Sequence, residues 1–179
     1  MKEFPEYKRL VFDEETIKKR VAELGAVIEK DYKDEDLVVI GVCNGALYFM
    51  SDLTRAINRS LEIDTIGFGE ITDITNRTGA VKITKNIALD LRDKSVLLIE
   101  DVVRTGLTAA YLVSQIESYG PKKVDICTLL FNPKRLLIPI PIKYYGFEID
   151  NSWLLGYGLD YSEHYRNLPY IVEIEMKKD

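Results

Sequence analysis

The sequence has few of the residues that hold metals or form disulfides. Among 179 residues there are two cysteines, Cys43 and Cys127, and one histidine, His164. Each cysteine lies inside an apolar run, and neither a CxxC motif nor a Cys/His cluster occurs. This excludes structural zinc, an iron–sulfur cluster and a secreted disulfide framework, and it predicts that His164 is an exposed loop residue. A chain of this length buries roughly 70% of its unfolded surface, so the core needs no covalent staple.

Excess positive charge and long hydrophobic runs are also missing. The chain carries 24 basic and 29 acidic side chains, a formal charge of −5. Such a surface repels nucleic acid and anionic membranes. No run of 18 apolar residues occurs, and the N-terminal segment MKEFPEYKRLVF has no apolar region of the kind found in signal peptides. We therefore expect a cytoplasmic protein with neither a nucleic acid nor a membrane as partner.

The chain also lacks linkers rich in Gly, Ser or Pro, low-complexity segments and internal repeats, which predicts one domain over residues 1–179. After about Leu136 the sequence becomes rich in proline and aromatic residues. We interpret about 136–179, together with the N-terminal segment, as a small hood over a core that spans about 14–135.

Apolar periodicity predicts alternating strands and helices. An apolar stripe predicts a helix over Glu14–Lys30, and a second helix starts at Gly45 and runs through Ile57. A polar stretch, Glu70–Gly79, is expected to be a long mobile loop. Apolar runs predict strands at Leu37–Val42, Ile63–Phe68, Val96–Ile99, Val124–Phe131 and Tyr144–Phe147. The fold class is therefore α/β, a mostly parallel twisted sheet with helices on both faces, and ligands bind outside the carboxyl ends of such strands.

One segment, VLLIEDVVRTGLT (Val96–Thr108), combines a buried strand with polar residues suited to a phosphate ligand. Thr105, Gly106 and Thr108 can present amides and hydroxyls at a helix N-terminus, where the helix dipole favours an anion. Glu100 and Asp101, at the strand end, can accept hydrogen bonds from a diol or hold Mg²⁺. The alternative interpretation is an ordinary connection between strand and helix with two solvated acids.

The same segment resembles the phosphoribosyl-diphosphate (PRPP) signature of type I phosphoribosyltransferases. The sequence from about Leu37 to Ile174 is similar to the hypoxanthine-guanine branch of that family, above all in YYGFEIDNSWLLGYGLDYSEHYRNLPYIVEIE. The resemblance implies the fold of that family, Mg²⁺ as cofactor, and PRPP with a purine base or nucleoside monophosphate as ligands. It also implies a homo-oligomer, a homodimer or a homotetramer.

The resemblance implies a role for each matching residue. Glu100 and Asp101 would bind the ribose hydroxyls and Mg²⁺, and Asp160 would act through a second Mg²⁺. The 5′-phosphate would lie on Thr105, Gly106, Leu107 and Thr108. The base would stack on Trp153 and meet the backbone of Leu154 and the side chain of Asn132, while the pyrophosphate would contact Asn44, Gly45 and Arg166. Trp153 could instead be an ordinary core residue.

Four positions depart from the family pattern. Arg104 stands where the family has an aspartate that handles the proton on the base, and arginine cannot act as a general base. Asn132 replaces a lysine that contacts the purine, although Asn132 can still donate a hydrogen bond and Lys134 could substitute for it. Asn44-Gly45 replaces Lys-Gly, and Gly67-Phe68-Gly69 replaces Ser-Tyr-Gly in the lid.

These departures leave three hypotheses open. The chain could be a Mg²⁺-dependent purine phosphoribosyltransferase of purine salvage, a catalytically impaired paralogue that binds nucleotide or PRPP, or a transferase for a non-purine acceptor. Arg104 would favour an anionic ligand part, namely an acidic base, a carboxylate or an extra phosphate. Alternatively, Arg104 forms an ion pair with Asp101 or Asp73 and only fills the site.

Overall fold

A computed structural model describes residues 6–70 and 81–175. The described chain folds into two sheets and three α-helices. The strands are β1 (Glu6–Phe12), β2 (Leu37–Cys43), β3 (Glu62–Glu70), β4 (Val81–Lys85), β5 (Ser95–Val103), β6 (Lys123–Phe131), β7 (Tyr144–Glu148), β8 (Trp153–Leu155) and β9 (Ile171–Glu175). The α-helices are α1 (Glu14–Asp31), α2 (Leu47–Ala56) and α3 (Leu107–Glu117).

The larger sheet has six strands in the order β4-β3-β2-β5-β6-β7. Every neighbouring pair in it is parallel except β3 and β4, which are antiparallel. This confirms the predicted mostly parallel sheet. The register sets Ile40 beside Leu98 and Ile99 beside Cys127, which aligns the carboxyl ends of the central strands at one edge.

Helices cover both faces of this sheet, as the sequence predicts. Alternate residues of β2 serve the two faces: Leu37 and Val39 pack in one core cluster with α1 and α2. Val38 and Ile40 pack in a second cluster with α3. A strand buried on both faces has no polar position, and this explains the unbroken apolar run.

The predicted boundaries change in two places that affect the site. The second helix begins at Leu47 rather than at Gly45, because Asn44, Gly45 and Ala46 form the turn after β2. The strand predicted at Val96–Ile99 continues to Val103. Glu100 and Asp101 therefore lie within β5, paired with β6 through Glu100 and Thr128, and not after the strand.

The smaller sheet has three antiparallel strands in the order β1-β9-β8. It joins the first described strand to the last, with Glu6 opposite Glu175 and Trp153 opposite Ile174. Glu173 of β9 accepts hydrogen bonds from Lys8 (2.7 Å) and Arg9 (2.6 Å) of β1. Charged side chains thus hold the two strands together across the chain.

Three further expectations have plain outcomes. His164 is exposed in the loop after Asp160, as predicted. Gly67, Phe68 and Gly69 lie in β3, and the Phe68 ring contacts the Tyr111 ring of α3. The predicted loop over Glu70–Gly79, together with Asp73, lies outside the described residues except for Glu70, which ends β3. None of the helices within residues 6–70 and 81–175 has the length and the apolar character that a membrane span requires.

Candidate active site

The turn between β5 and α3 is shaped to approach an anion closely. Gly106 precedes the helix with φ of +80°, a left-handed conformation that glycine adopts without strain. The hydroxyl oxygen of Thr105 accepts a weak hydrogen bond from the Leu107 amide (3.4 Å). The first amides of a helix have no acceptor within the helix, so this turn offers donors together with the positive end of the helix dipole. Leu107 and Thr108 are exposed at this end of α3.

A cavity of about 140 Å³ opens beside this turn. Its lining combines three of the four predicted phosphate-binding residues with one acid of the pair and the cation that follows β5, namely Glu100, Val102, Val103, Arg104, Thr105, Gly106, Thr108 and Ala109. Parallel strands that end at one edge produce such a crevice at their carboxyl ends. Glu100, Thr105, Gly106 and Thr108 therefore line one cavity, whereas Asp101 and Leu107 are not part of its lining.

Glu100 is an unusual buried acid. Its side chain is only 4% exposed, and its Oε1 atom has no hydrogen-bond partner among the described residues. Burial, and after it the neighbouring charge of Asp101, raises the pKa of Glu100 well above its ordinary value. A buried carboxyl group without a partner is costly unless a ligand satisfies it. Glu100 is thus ready to meet a hydroxyl group or a cation.

Asp101 is held in place by the chain around it. Its Oδ1 accepts a hydrogen bond from the Val102 amide (2.8 Å). Burial raises the pKa of Asp101, whereas the amides of Val102 and of Asp101 itself and the charge of Arg166 act in the opposite direction. The two adjacent carboxyl groups supply oxygen ligands of the type that Mg²⁺ prefers, with open positions for substrate oxygens and water. Glu100 and Asp101 therefore fit a Mg²⁺-bound ligand, although no group of three potential ligands occurs within residues 6–70 and 81–175.

Two glycines allow two loops to pack closely beside Asp101 of β5. A Cβ atom on Gly45 would lie 2.0 Å from Oδ2 of Asp101. A Cβ atom on Gly158, whose φ is +104°, would lie 2.0 Å from the carbonyl oxygen of Gly45. The turn after β2 is therefore packed between Asp101 and the loop after β8. Gly158 is not among the predicted site residues, although the Gly-Tyr-Gly pattern at 156–158 is a signal for close backbone contact.

Arg166 and Asp160 are brought together in the loop after β8. Nη2 of Arg166 lies 2.9 Å from Oδ1 of Asp160 and 3.0 Å from a carboxylate oxygen of Glu163. Nη1 of Arg166 donates to the Gly158 carbonyl (2.8 Å), whereas Nε is buried without a partner among the described residues. The second oxygen of Asp160 accepts from the Glu163 amide (2.8 Å). Both predicted residues thus lie near the acidic pair and bind each other.

Arg104 points toward the smaller sheet. Its Nη2 donates to the carbonyl oxygen of Ser152 (2.9 Å), the residue directly before Trp153. No ion pair with Asp101 forms, so that part of the ion-pair alternative is wrong, and Asp73 lies outside the described residues. Burial, followed by the like charge of Arg135, lowers the pKa of Arg104, while the charges of Asp150 and Asp101 oppose that change. Arginine nevertheless keeps its proton at neutral pH.

The other residues predicted to contact the base, Asn132, Trp153 and Leu154, lie where β6 and β8 of the two sheets approach each other. Trp153 is 62% exposed, so it is not the core residue of the alternative interpretation, whereas Leu154 is buried. Asn132 is buried, and its Nδ2 donates to the Asp150 carbonyl (2.8 Å) and to Oδ1 of Asn151 (3.2 Å). Both amide hydrogens are therefore used, and the free atom of Asn132 is its acceptor, Oδ1. Lys134 is exposed on a short 3-10 helix, Pro133–Arg135.

Comparison with known proteins identifies the family to which the chain belongs. The family model of the phosphoribosyl transferase domain matches residues 11–162. Hypoxanthine-guanine phosphoribosyltransferase of Dictyostelium discoideum is 36% identical over 172 residues, 94% of this chain and 96% of that protein. The enzyme of the same name from Bacillus subtilis is 40% identical over 163 residues, 91% of each chain.

A solved structure extends the similarity to three dimensions. A hypoxanthine-guanine phosphoribosyltransferase from Bacillus anthracis superposes with a TM-score of 0.88 at 36% identity, over 95% of this chain and 100% of that one. The chain belongs to the phosphoribosyl transferase family and, within it, to the hypoxanthine-guanine phosphoribosyltransferases.

Proposed function

We propose that this protein transfers the 5-phosphoribosyl group of PRPP to a purine base, with release of pyrophosphate, as an enzyme of purine salvage. The observation that carries the proposal is the pair Glu100 and Asp101 beside the N-terminus of α3. One buried carboxyl oxygen of Glu100 lacks a partner there, and Glu100 lines the same cavity as the turn that begins α3. This arrangement suits a sugar phosphate with a vicinal diol and a bound Mg²⁺.

The residues of this chain would divide the work as follows. Thr105–Thr108 would hold the 5′-phosphate through amides and hydroxyls, and Glu100 and Asp101 would orient the ribose hydroxyls. Arg166 would offer its unpartnered Nε and its charge to the pyrophosphate. Mg²⁺, when bound, would neutralise charge on the leaving group. Positive charge that develops on the ribose would lie beside the two carboxylates, which stabilise it.

A second candidate function has its own observation. Arg104 cannot accept a proton, and Asn132 has no free donor. Both features fit a paralogue that binds PRPP or a nucleotide without transfer. This candidate predicts calorimetric binding of PRPP or a nucleoside monophosphate with no product, whereas the enzyme predicts turnover.

The test is a direct assay of the purified protein with PRPP and Mg²⁺. Hypoxanthine, guanine, xanthine and adenine are offered separately, and nucleotide and pyrophosphate are quantified. Asp101→Asn should lower kcat/KM at least 100-fold if Asp101 contacts the reacting ribose, while exposed Arg92→Gln should leave it unchanged. PRPP binding without turnover on any acceptor would support the binding paralogue. Arg104→Asp then tests whether an acid at this position restores purine transfer.

The assembly is part of the proposal as well. We expect a homodimer or a homotetramer in solution, and sedimentation or light scattering of the purified protein measures this directly.

A further inference from the structure

Arg104 is a partly buried cation without a carboxylate partner in the described chain. Of its five N–H donors, one binds the Ser152 carbonyl, and no other hydrogen bond or ion pair reaches a residue within 6–70 or 81–175. Charges of both signs act on the Arg104 guanidinium: Arg135 repels it, and Asp150 and Asp101 attract it from beyond ion-pair distance. A guanidinium group in such a position is usually paired with a carboxylate or a phosphate. Within residues 6–70 and 81–175, the site therefore supplies no carboxylate that balances the charge of Arg104.

The residue that the Arg104 side chain binds indicates which part of the ligand supplies the negative charge. The 5′-phosphate has its own donors in the turn at Thr105–Thr108. Arg104 is instead tied by Ser152 to the strand that carries exposed Trp153, a flat surface on which a heterocycle can stack. Arg104 thus directly precedes the phosphate turn in the chain and binds the residue directly before Trp153, where the acceptor of the phosphoribosyl group would stack.

The chemistry of transfer leads to the same requirement. A ring nitrogen of the acceptor forms a bond to C1 of the ribose while the bond from C1 to the pyrophosphate oxygen breaks, and pyrophosphate leaves with the electron pair. A neutral acceptor with an N–H group must also lose a proton, and a guanidinium cannot take it. An acceptor whose attacking nitrogen is already free of a proton needs no base at this position. An acceptor with an ionised ring nitrogen meets this condition, as does a carboxylate-bearing ring whose attacking nitrogen carries no proton, and either one also balances the charge of Arg104.

We propose that the acceptor is an anionic nitrogen heterocycle, with either an ionised ring nitrogen or a carboxylate, and that Arg104 determines this specificity by pairing with its negative charge. The inference rests on the proposed phosphoribosyl transfer. The acceptor would then be an acidic purine or another negatively charged heterocycle. Hypoxanthine and guanine, which are neutral near pH 7, should be poor acceptors.

The test uses pairs of acceptors that differ in charge. Xanthine is compared with hypoxanthine at mildly alkaline pH, and nicotinate with nicotinamide, each with PRPP and Mg²⁺ and with pyrophosphate release as readout. We expect at least one anionic member to exceed its neutral partner 10-fold or more in kcat/KM. Arg104→Gln should abolish that preference, Arg104→Lys should keep part of it, and Arg92→Gln, an exposed Arg to Gln control, should not change it.

The other outcomes would overturn the inference and separate it from the proposed function. Fast transfer to hypoxanthine or guanine that Arg104→Gln leaves unchanged would refute the role of Arg104 and leave phosphoribosyl transfer standing. An equal rise in the KM for PRPP with charged and neutral acceptors would place the missing charge on PRPP. Absence of turnover with every acceptor, while calorimetry detects PRPP binding, would refute both the transfer and the inference. Melting temperatures of all variants show whether each is folded.

Discussion

Gly158→Ala tests how closely the loops around the acidic pair are packed. The new Cβ would lie 2.0 Å from the Gly45 carbonyl oxygen, and residue 158 has φ of +104°. Left-handed backbone costs a non-glycine residue about 1–2 kcal/mol. Forcing an extra carbon against backbone costs about 1–3 kcal/mol more. The sum is about 2–5 kcal/mol, which for a chain of this size lowers the melting temperature by about 4–20 °C.

Gly120→Ala is the matched control. Gly120 also has a positive φ, +76°, but a Cβ there would meet only Cγ of Arg92, at 3.7 Å. The control therefore carries the backbone term of about 1–2 kcal/mol without the collision. Differential scanning calorimetry of both variants isolates the collision as the difference between them. Equal melting temperatures for the two variants would show that Gly45 and Gly158 are not packed as described.

Three further predictions concern the site and its supports. Gly45→Ala would place a Cβ 2.0 Å from Oδ2 of Asp101, and the carboxylate can move away only by giving up the hydrogen bond that its Oδ1 accepts from the Val102 amide. PRPP affinity by calorimetry should therefore fall at least 10-fold while the free energy of unfolding falls by about 0.5–1.5 kcal/mol; a large loss of stability with unchanged affinity would contradict this. Burial would raise the pKa of Asp64, but Lys85 (2.7 Å) and the amides of Ala88, Thr65 and Leu89 lower it to about 2, so Asp64→Asn should cost about 1–3 kcal/mol at pH 7. Because the folded pKa lies below the ordinary value of 3.8, that difference from wild type in urea unfolding should shrink as the pH falls from 3.8 toward 2, and a difference that grows would refute the reasoning. Arg20→Ala removes donors to the carbonyls of Gly146 and Tyr145 (2.8 Å each) and should cost about 2–3 kcal/mol in urea unfolding without changing the KM for PRPP, whereas unchanged stability would mean that these bonds do not hold β7.

The parts of the fold that the sequence predicts are those with a local signal. Leu37–Val42 is apolar without interruption because both faces of β2 are buried, and a stripe at helical spacing marks α1. Strands β1 and β9 have no such signal, because Lys8, Arg9 and Glu173 interrupt any apolar pattern and the two strands pair across almost the whole chain. Their pairing depends on long-range contacts, which periodicity does not record.

In the candidate site, too, the contacts within one segment could be predicted from the sequence and the contacts between distant segments could not. Residues 100–108 are contiguous, so the proximity of Glu100 to the turn at Thr105–Thr108 could be predicted from the strand, the turn and the helix start. The hydrogen bond from Arg104 to Ser152 spans 48 residues, and the bond from Asn132 to Asp150 spans 18. The contact of Gly158 with Gly45 likewise joins distant segments. Such contacts depend on how the two sheets meet, and for that reason only the structure shows that Asn132 has used its donors.

The order β1-β9-β8 leaves Trp153 and Leu154 on an outermost strand. On such a strand, every second residue turns its N–H and C=O groups away from the sheet, where another strand could add to it. At three residues, Trp153–Leu155 is too short to recruit a foreign strand, yet long enough to offer this polar edge to something small. A planar heterocycle stacked on Trp153 could dock there much as a fragment of β-strand would, borrowing the backbone for recognition. Changes in side chains would then leave that part of recognition intact.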